Sequence, residues 1–226
     1  MHPARFVIGS YNPCFGWDYP PASYIALFLC SVNVYLLWRH AWLDLTRSHL
    51  MSKRPGHKLT WTQEFSKWAS IALALSANFW LLLWVIGPVG DKTEDGLPGE
   101  HGNWLGHTAL FILYAVCTYL ATLGNFLEIR ASPLGKNITT KHNVYIIVFG
   151  ISSLWLPTVY LWALFMAEPG TPPPLPAWVT QTADFFWLGS IMSMDWGSPK
   201  DYPLLQEIKL LEPEDAQGLL EEDAKV

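Results

Sequence analysis

The chain has 226 residues, 51% of them hydrophobic and 15% charged, with a mean hydropathy of +0.19. A soluble domain carries about 25% charged residues, and a soluble interior of this size has too little room for thirteen tryptophans. The composition therefore excludes an ordinary soluble enzyme and points to a lipid bilayer as the solvent.

The net charge of −5 argues against a general nucleic-acid binder, which needs a basic surface to displace counterions from phosphates. Its placement says more than its sum. Residues 200–226 hold eight acids and three lysines, whereas the first 199 residues balance at eleven of each sign. The three cysteines, Cys14, Cys30 and Cys117, form no CxxC pair, zinc spacing or disulfide framework.

From the N-terminus, Met1 to Pro20 offers one arginine and no apolar run, so the first apolar segment is expected to act as its own insertion signal. Crossing about 30 Å of hydrocarbon takes about 20 apolar residues. Four segments meet that length: about 22–38, 68–86, 104–126 and 144–167. Gly87-Pro88 stops the second, and Glu168-Pro169-Gly170 with Pro172 to Pro174 stops the fourth. Pro157 is expected to kink the fourth. A fifth segment, 177–196, has the length but carries Gln181 and Asp184. It either crosses with its polar groups sheltered by neighbours or lies in the interface.

The expected architecture is an all-α integral membrane protein. It has an outer N-terminal segment (1–21), a bundle of four or five transmembrane helices (22–196) and a short amphipathic, acidic C-terminal tail (197–226). With the N-terminus outside and five crossings, twelve of the fourteen Lys and Arg residues lie inside and only Arg5 and Lys92 outside, as the positive-inside bias requires. The C-terminus is then inside. Trp17, Trp104 and Trp178 fall at the outer boundary and Trp38, Trp42, Trp61 and Trp196 at the inner. Trp80, Trp155 and Trp187 lie deeper, between helices or against lipid tails. Asn137-Ile138-Thr139 matches a glycosylation acceptor on the inner loop, where no glycan is expected.

Intramembrane polar groups are costly and usually face other helices or a pathway. Asn33, Asn78 and Asp184 are such groups, serving either as a polar path for a substrate or ion or as interhelical hydrogen bonds. His40 and His142 flank the first and fourth segments at one boundary, where they could ligate a haem or simply meet headgroups. Glu64, Lys67, Glu128 and Arg130 share that boundary as expected anchors of helix ends. Gly150 with Ser152-Ser153 reads as a small-residue packing patch. No GxSxG, HExxH, P-loop or GxGxxG occurs, which points away from an enzyme.

In the tail, Leu204, Leu205, Ile208 and Leu211 recur at helical spacing and form a candidate docking face. The expected function is a non-catalytic multi-pass subunit that packs in a larger membrane complex and docks partners through this tail. A small transporter or channel and a haem- or quinone-binding redox protein are the alternatives. No cofactor is specified. Bound lipids are the expected small-molecule contacts, other membrane subunits and membrane lipids the expected partners, and nucleic acid is not among them.

Overall fold

The computed structural model describes residues 21–53, 58–86, 104–166 and 174–199. The tail leucines Leu204, Leu205, Ile208 and Leu211 lie outside these residues, as do Arg5, Cys14 and Trp17. The described chain is helical, with no strand among the described residues. Its elements are α1 (Ala22–Ser52), α2 (Trp61–Ile86), α3 (Trp104–Ala131), a 3-10 turn (Pro133–Asn137), α4 (Thr140–Met166), α5 (Ala177–Met192) and α6 (Met194–Gly197).

Two helix starts have local causes. Thr60 donates its amide to Gln63 Oε1 at 2.9 Å and accepts the Gln63 amide at 3.4 Å. This reciprocal capping box begins α2 seven residues before its apolar run. At α4, the Thr139 amide donates to His142 Nδ1 at 3.1 Å, so a histidine serves the same role. α4 then runs unbroken through Pro157.

α1 continues 14 residues beyond the apolar segment that ends at Trp38, giving 31 residues and a length of about 46 Å. Its continuation is amphipathic, with Ala41, Asp44, Arg47, Ser48 and Met51 buried and Trp42, Leu45 and Leu50 exposed. The fifth apolar segment is divided. Chain regularity breaks at Ser193, leaving α5 with 16 residues and α6 with four.

Consecutive helices pack against one another, up and down. Asp44 near the end of α1 meets Ser70 near the start of α2. Ser66 meets Asn125 near the end of α3, and Arg130 meets Asn143 at the start of α4. Tyr145 reaches the Ser190 carbonyl near the end of α5. One end of the bundle therefore gathers the charged helix ends, and every Lys and Arg of the described residues lies towards it. We call it the basic end.

The helices meet through small residues. Ser66, Ser70, Ala74 and Ala77 form one fully buried stripe on α2, and a Cβ built on Gly124 would lie 2.9 Å from the Ser66 Cα. Such close approach gains dispersion contacts that lipid tails cannot replace. The outward surface is the reverse of a soluble protein's. Tyr24, Phe28, Tyr35, Trp38 and Trp42 on α1 and Trp178, Phe185 and Met192 on α5 are exposed, and so large an apolar surface requires an apolar environment or partner. Trp80 and Trp187 pack between helices, whereas Trp155 faces outward.

Three helices are long and apolar enough to cross a membrane: α1 over Tyr24–Ser52, α3 over Thr108–Ala131 and α4 over Thr140–Ala163. α5, at 16 residues, spans only about 24 Å.

Gly124→Leu is expected to force α2 from α3 and destabilise the bundle by about 1–3 kcal/mol. Gly189→Ala meets no atom within 4 Å and is expected to leave stability unchanged. Thermal unfolding of both variants in one detergent checks the pair.

Candidate functional site

The continuation of α1 carries a charged face with the spacing His40, Asp44, Arg47. Three and four residues apart, these side chains project from one side of a helix. That side points into the bundle. Asp44, Arg47 and Glu128 are each less than 10% exposed.

Arg47 of α1 and Glu128 of α3 form a two-pronged pair. Nη2 donates to Oε2 at 2.8 Å and Nη1 lies 2.6 Å from Oε1, the fork geometry that suits guanidinium to carboxylate. Asp44 completes the cluster. Its Oδ2 accepts the Ser70 hydroxyl at 2.6 Å and lies 3.6 Å from His40 Nε2, and its Oδ1 lies 3.7 Å from Arg47 Nη2. One acid, one base and a second acid thus tie α1 to both α2 and α3. Below them the Ser66 hydroxyl donates to Asn125 Oδ1 at 3.0 Å.

The cluster sits towards the basic end of both helices. Asp44 lies about 33 Å along α1 from Ala22, and Glu128 about 36 Å along α3 from Trp104.

The candidate polar path is distributed over separate helix pairs. Asn33 Nδ2 donates to the Tyr114 hydroxyl at 3.1 Å, joining α1 to α3. Asp184 accepts the Tyr160 hydroxyl, with Oδ1 at 2.8 Å and Oδ2 at 3.0 Å, joining α5 to α4. It lies only about 10 Å along α5 from Ala177, nearer the end opposite the basic one than the helix length suggested. Asn78 is half-buried on α2. Between the Asn33 and Asp184 pairs runs a chain of aromatic contacts. Trp80 stacks on Tyr114 at 4.9 Å, Trp80 leans on Phe111 at 6.0 Å, and Phe111 meets Trp187 edge-on at 5.2 Å.

His40 and His142 have different partners, Asp44 for the first and the Thr139 amide for the second. Among the described residues, no group of three or more His, Cys, Asp or Glu could hold a metal ion. The small-residue patch on α4 joins helices: Ser152 Oγ lies 3.0 Å from Ser190 Oγ, and a Cβ on Gly150 would press on the Tyr119 ring. Glu64 and Lys67 pair on the surface of α2.

Sequence reasoning placed Glu128 and His40 at one boundary but missed that Asp44 and Arg47 belong with them. The available signal was the His-x₃-Asp-x₂-Arg spacing continuing the buried face of the first helix.

No protein-family model, curated protein or solved structure matches the chain. Its class rests on the architecture: an all-helical chain whose three long apolar helices are compatible with a multi-pass integral membrane protein.

Tyr160→Phe removes the hydroxyl that donates to both oxygens of Asp184. The expected cost is about 1–3 kcal/mol, as for a buried acceptor losing its donor, and Tyr160→Phe combined with Asp184→Leu is expected to recover most of it. Unfolding of the single and double variants in detergent measures both.

Proposed function

We propose that the protein is a non-catalytic, multi-pass subunit of a larger membrane assembly, crossing five times with its N-terminus outside and its C-terminus inside. The observation that carries this reading is the use to which the buried charges are put. Among the described residues the four buried charged side chains, Asp44, Arg47, Glu128 and Asp184, each bond to a neighbouring helix. Groups held in this way build a scaffold; a catalytic site would converge them on a substrate.

The edges of the bundle support the same reading. α1 and α5 are the outer helices in packing order, and both present large aromatic side chains outward. Aromatic side chains are enriched at protein interfaces and at membrane boundaries, so these faces suit both subunit and lipid contacts. On this reading α2 crosses despite the polar turns at its start, because Glu64 and Lys67 sit at the basic end. α5 crosses with α6 completing its path, Asp184 sheltered by Tyr160. The collection of Lys and Arg at one end supports a cytoplasm-like side there. The acidic tail with Leu204, Leu205, Ile208 and Leu211 follows on that side as the partner-docking segment.

Extraction of the full tagged chain in mild detergent followed by native electrophoresis tests the proposal. Migration in a complex well above the mass of one chain, with other subunits co-purifying, is the expected result. A stable lone monomer retaining its helicity would overturn it. The threading has its own check: Asn137, exposed in the 3-10 turn, is expected to carry no glycan, whereas an acceptor engineered between 87 and 103 is expected to gain one. The reverse outcome would invert the orientation.

A further inference from the structure

Where α3 gives way to α4, the basic end carries three cations within a stretch of twelve residues. Arg130, Lys136 and Lys141 are exposed, and among the described residues none of them pairs with a carboxylate. Their positions are fixed locally. Gly135 lies against the Arg130 carbonyl, where the 3-10 turn folds back on the end of α3. Arg130 Nη1 donates to Asn143 Oδ1 at 3.4 Å, and Lys141 Nζ lies 5.0 Å from the centre of the Trp196 ring. Gly197 is buried flat on the Tyr145 ring, where any side chain would collide, and this seat holds Trp196 next to Lys141. Asp195 is the acid on that short helix, so the corner keeps an excess of positive charge.

A half-enclosed cleft of about 50 Å³ lies between α3, α4 and α6, with Phe126, Ile129, Ile146 and Met194 in its walls beside the polar Asn125 and Ser198. Ile129 of its wall precedes Arg130 in the chain, and Gly197 of its wall follows Trp196, the ring that Lys141 lies over. Outside the cleft α4 continues as an exposed apolar face through Val144, Ile147 and Ile151.

We propose that this corner binds the headgroup of an anionic phospholipid, its phosphate held by Arg130, Lys136 and Lys141 and the start of an acyl chain entering the cleft. Charge selects an anionic over a zwitterionic headgroup, and basic pockets between helices at a membrane boundary are suited to such lipids. Apolar side chains both in the cleft wall and on the exposed face of α4 favour a lipid over a free phosphate. A tryptophan at the headgroup level matches the preference of amphipathic rings for that depth. The inference rests on the membrane placement proposed above.

The test uses the full chain in mild detergent, mixed with phosphatidylglycerol or phosphatidylcholine, and reads retained lipid by native mass spectrometry. The wild-type chain is expected to retain phosphatidylglycerol preferentially. Removing the charges one at a time in R130Q, K136Q and K141Q is expected to weaken that preference about five-fold per charge. The melting temperature in phosphatidylcholine alone should stay unchanged, which separates lost binding from lost folding. Equal retention of both lipids by the wild-type chain, or an undiminished preference in the triple variant, would overturn the proposal. So would full competition by inorganic phosphate, or a preference that appears only after residues 200–226 are removed, since the tail would then be the occupant. Alkaline carbonate extraction of native membranes tests the placement separately: release of the chain into the supernatant would refute the membrane reading itself, whatever the lipid result.

Discussion

A guanidinium and a carboxylate buried between helices constrain everything around them. Moving either ion out of water costs several kcal/mol even after the surroundings relax, so Arg47 and Glu128 are tolerable inside the bundle only in contact. Their contact fixes the ends of α1 and α3 side by side. Asp44, held by the Ser70 hydroxyl and close to both His40 and Arg47, brings the start of α2 into the same arrangement. Sliding any of these helices by one turn would separate Arg47 from Glu128 or Asp44 from Ser70. The pair therefore sets register more than it adds net stability, since a well-packed apolar replacement can hold a core as firmly.

The other half of the bundle is joined by gentler means. α4 and α5 meet through the Tyr160 hydroxyl on Asp184, the Ser152–Ser190 contact and the Tyr145 hydroxyl on the Ser190 carbonyl. Hydrogen bonds of this kind between membrane helices contribute only about 0.6–2 kcal/mol each, so close packing must supply the rest. Gly150 against Tyr119 and Phe111 against Trp187 carry that packing across from α3. Charge fixes the first three helices and shape fixes the last two. Both leave large apolar side chains facing outward, which is compatible with lipid around the three long apolar helices.

Much of this was legible in the sequence because hydropathy is a one-dimensional signal. The apolar segments at 104–126 and 144–167 correspond to α3 and α4, and the all-helical class followed from their length. The reading faltered where apolarity and helicity part company. The run of apolar residues in α1 ends at Trp38, yet the helix continues to Ser52, with Asp44 and Arg47 bonded to residues of other helices. α2 starts early because Thr60 and Gln63 cap it, a signal present in the sequence at T-x-x-Q and passed over. The division at Ser193 had no comparable marker. The candidate site was the hardest part, because Arg47 and Glu128 lie 81 residues apart, as do Asn33 and Tyr114. Spacing within one helix identifies a face; it does not identify what that face meets.

Exchanging the two charges addresses the central claim directly. The stabilities of Arg47→Glu, Glu128→Arg and the double exchange, measured by reversible unfolding in one detergent, form a double-mutant cycle. If the pair sets the register of α1 against α3, each single exchange should cost about 3–5 kcal/mol, and the double exchange should recover part of that loss, the remainder reflecting the acid introduced at position 47 beside Asp44. Losses that simply add would show that the two residues act independently and would contradict this account.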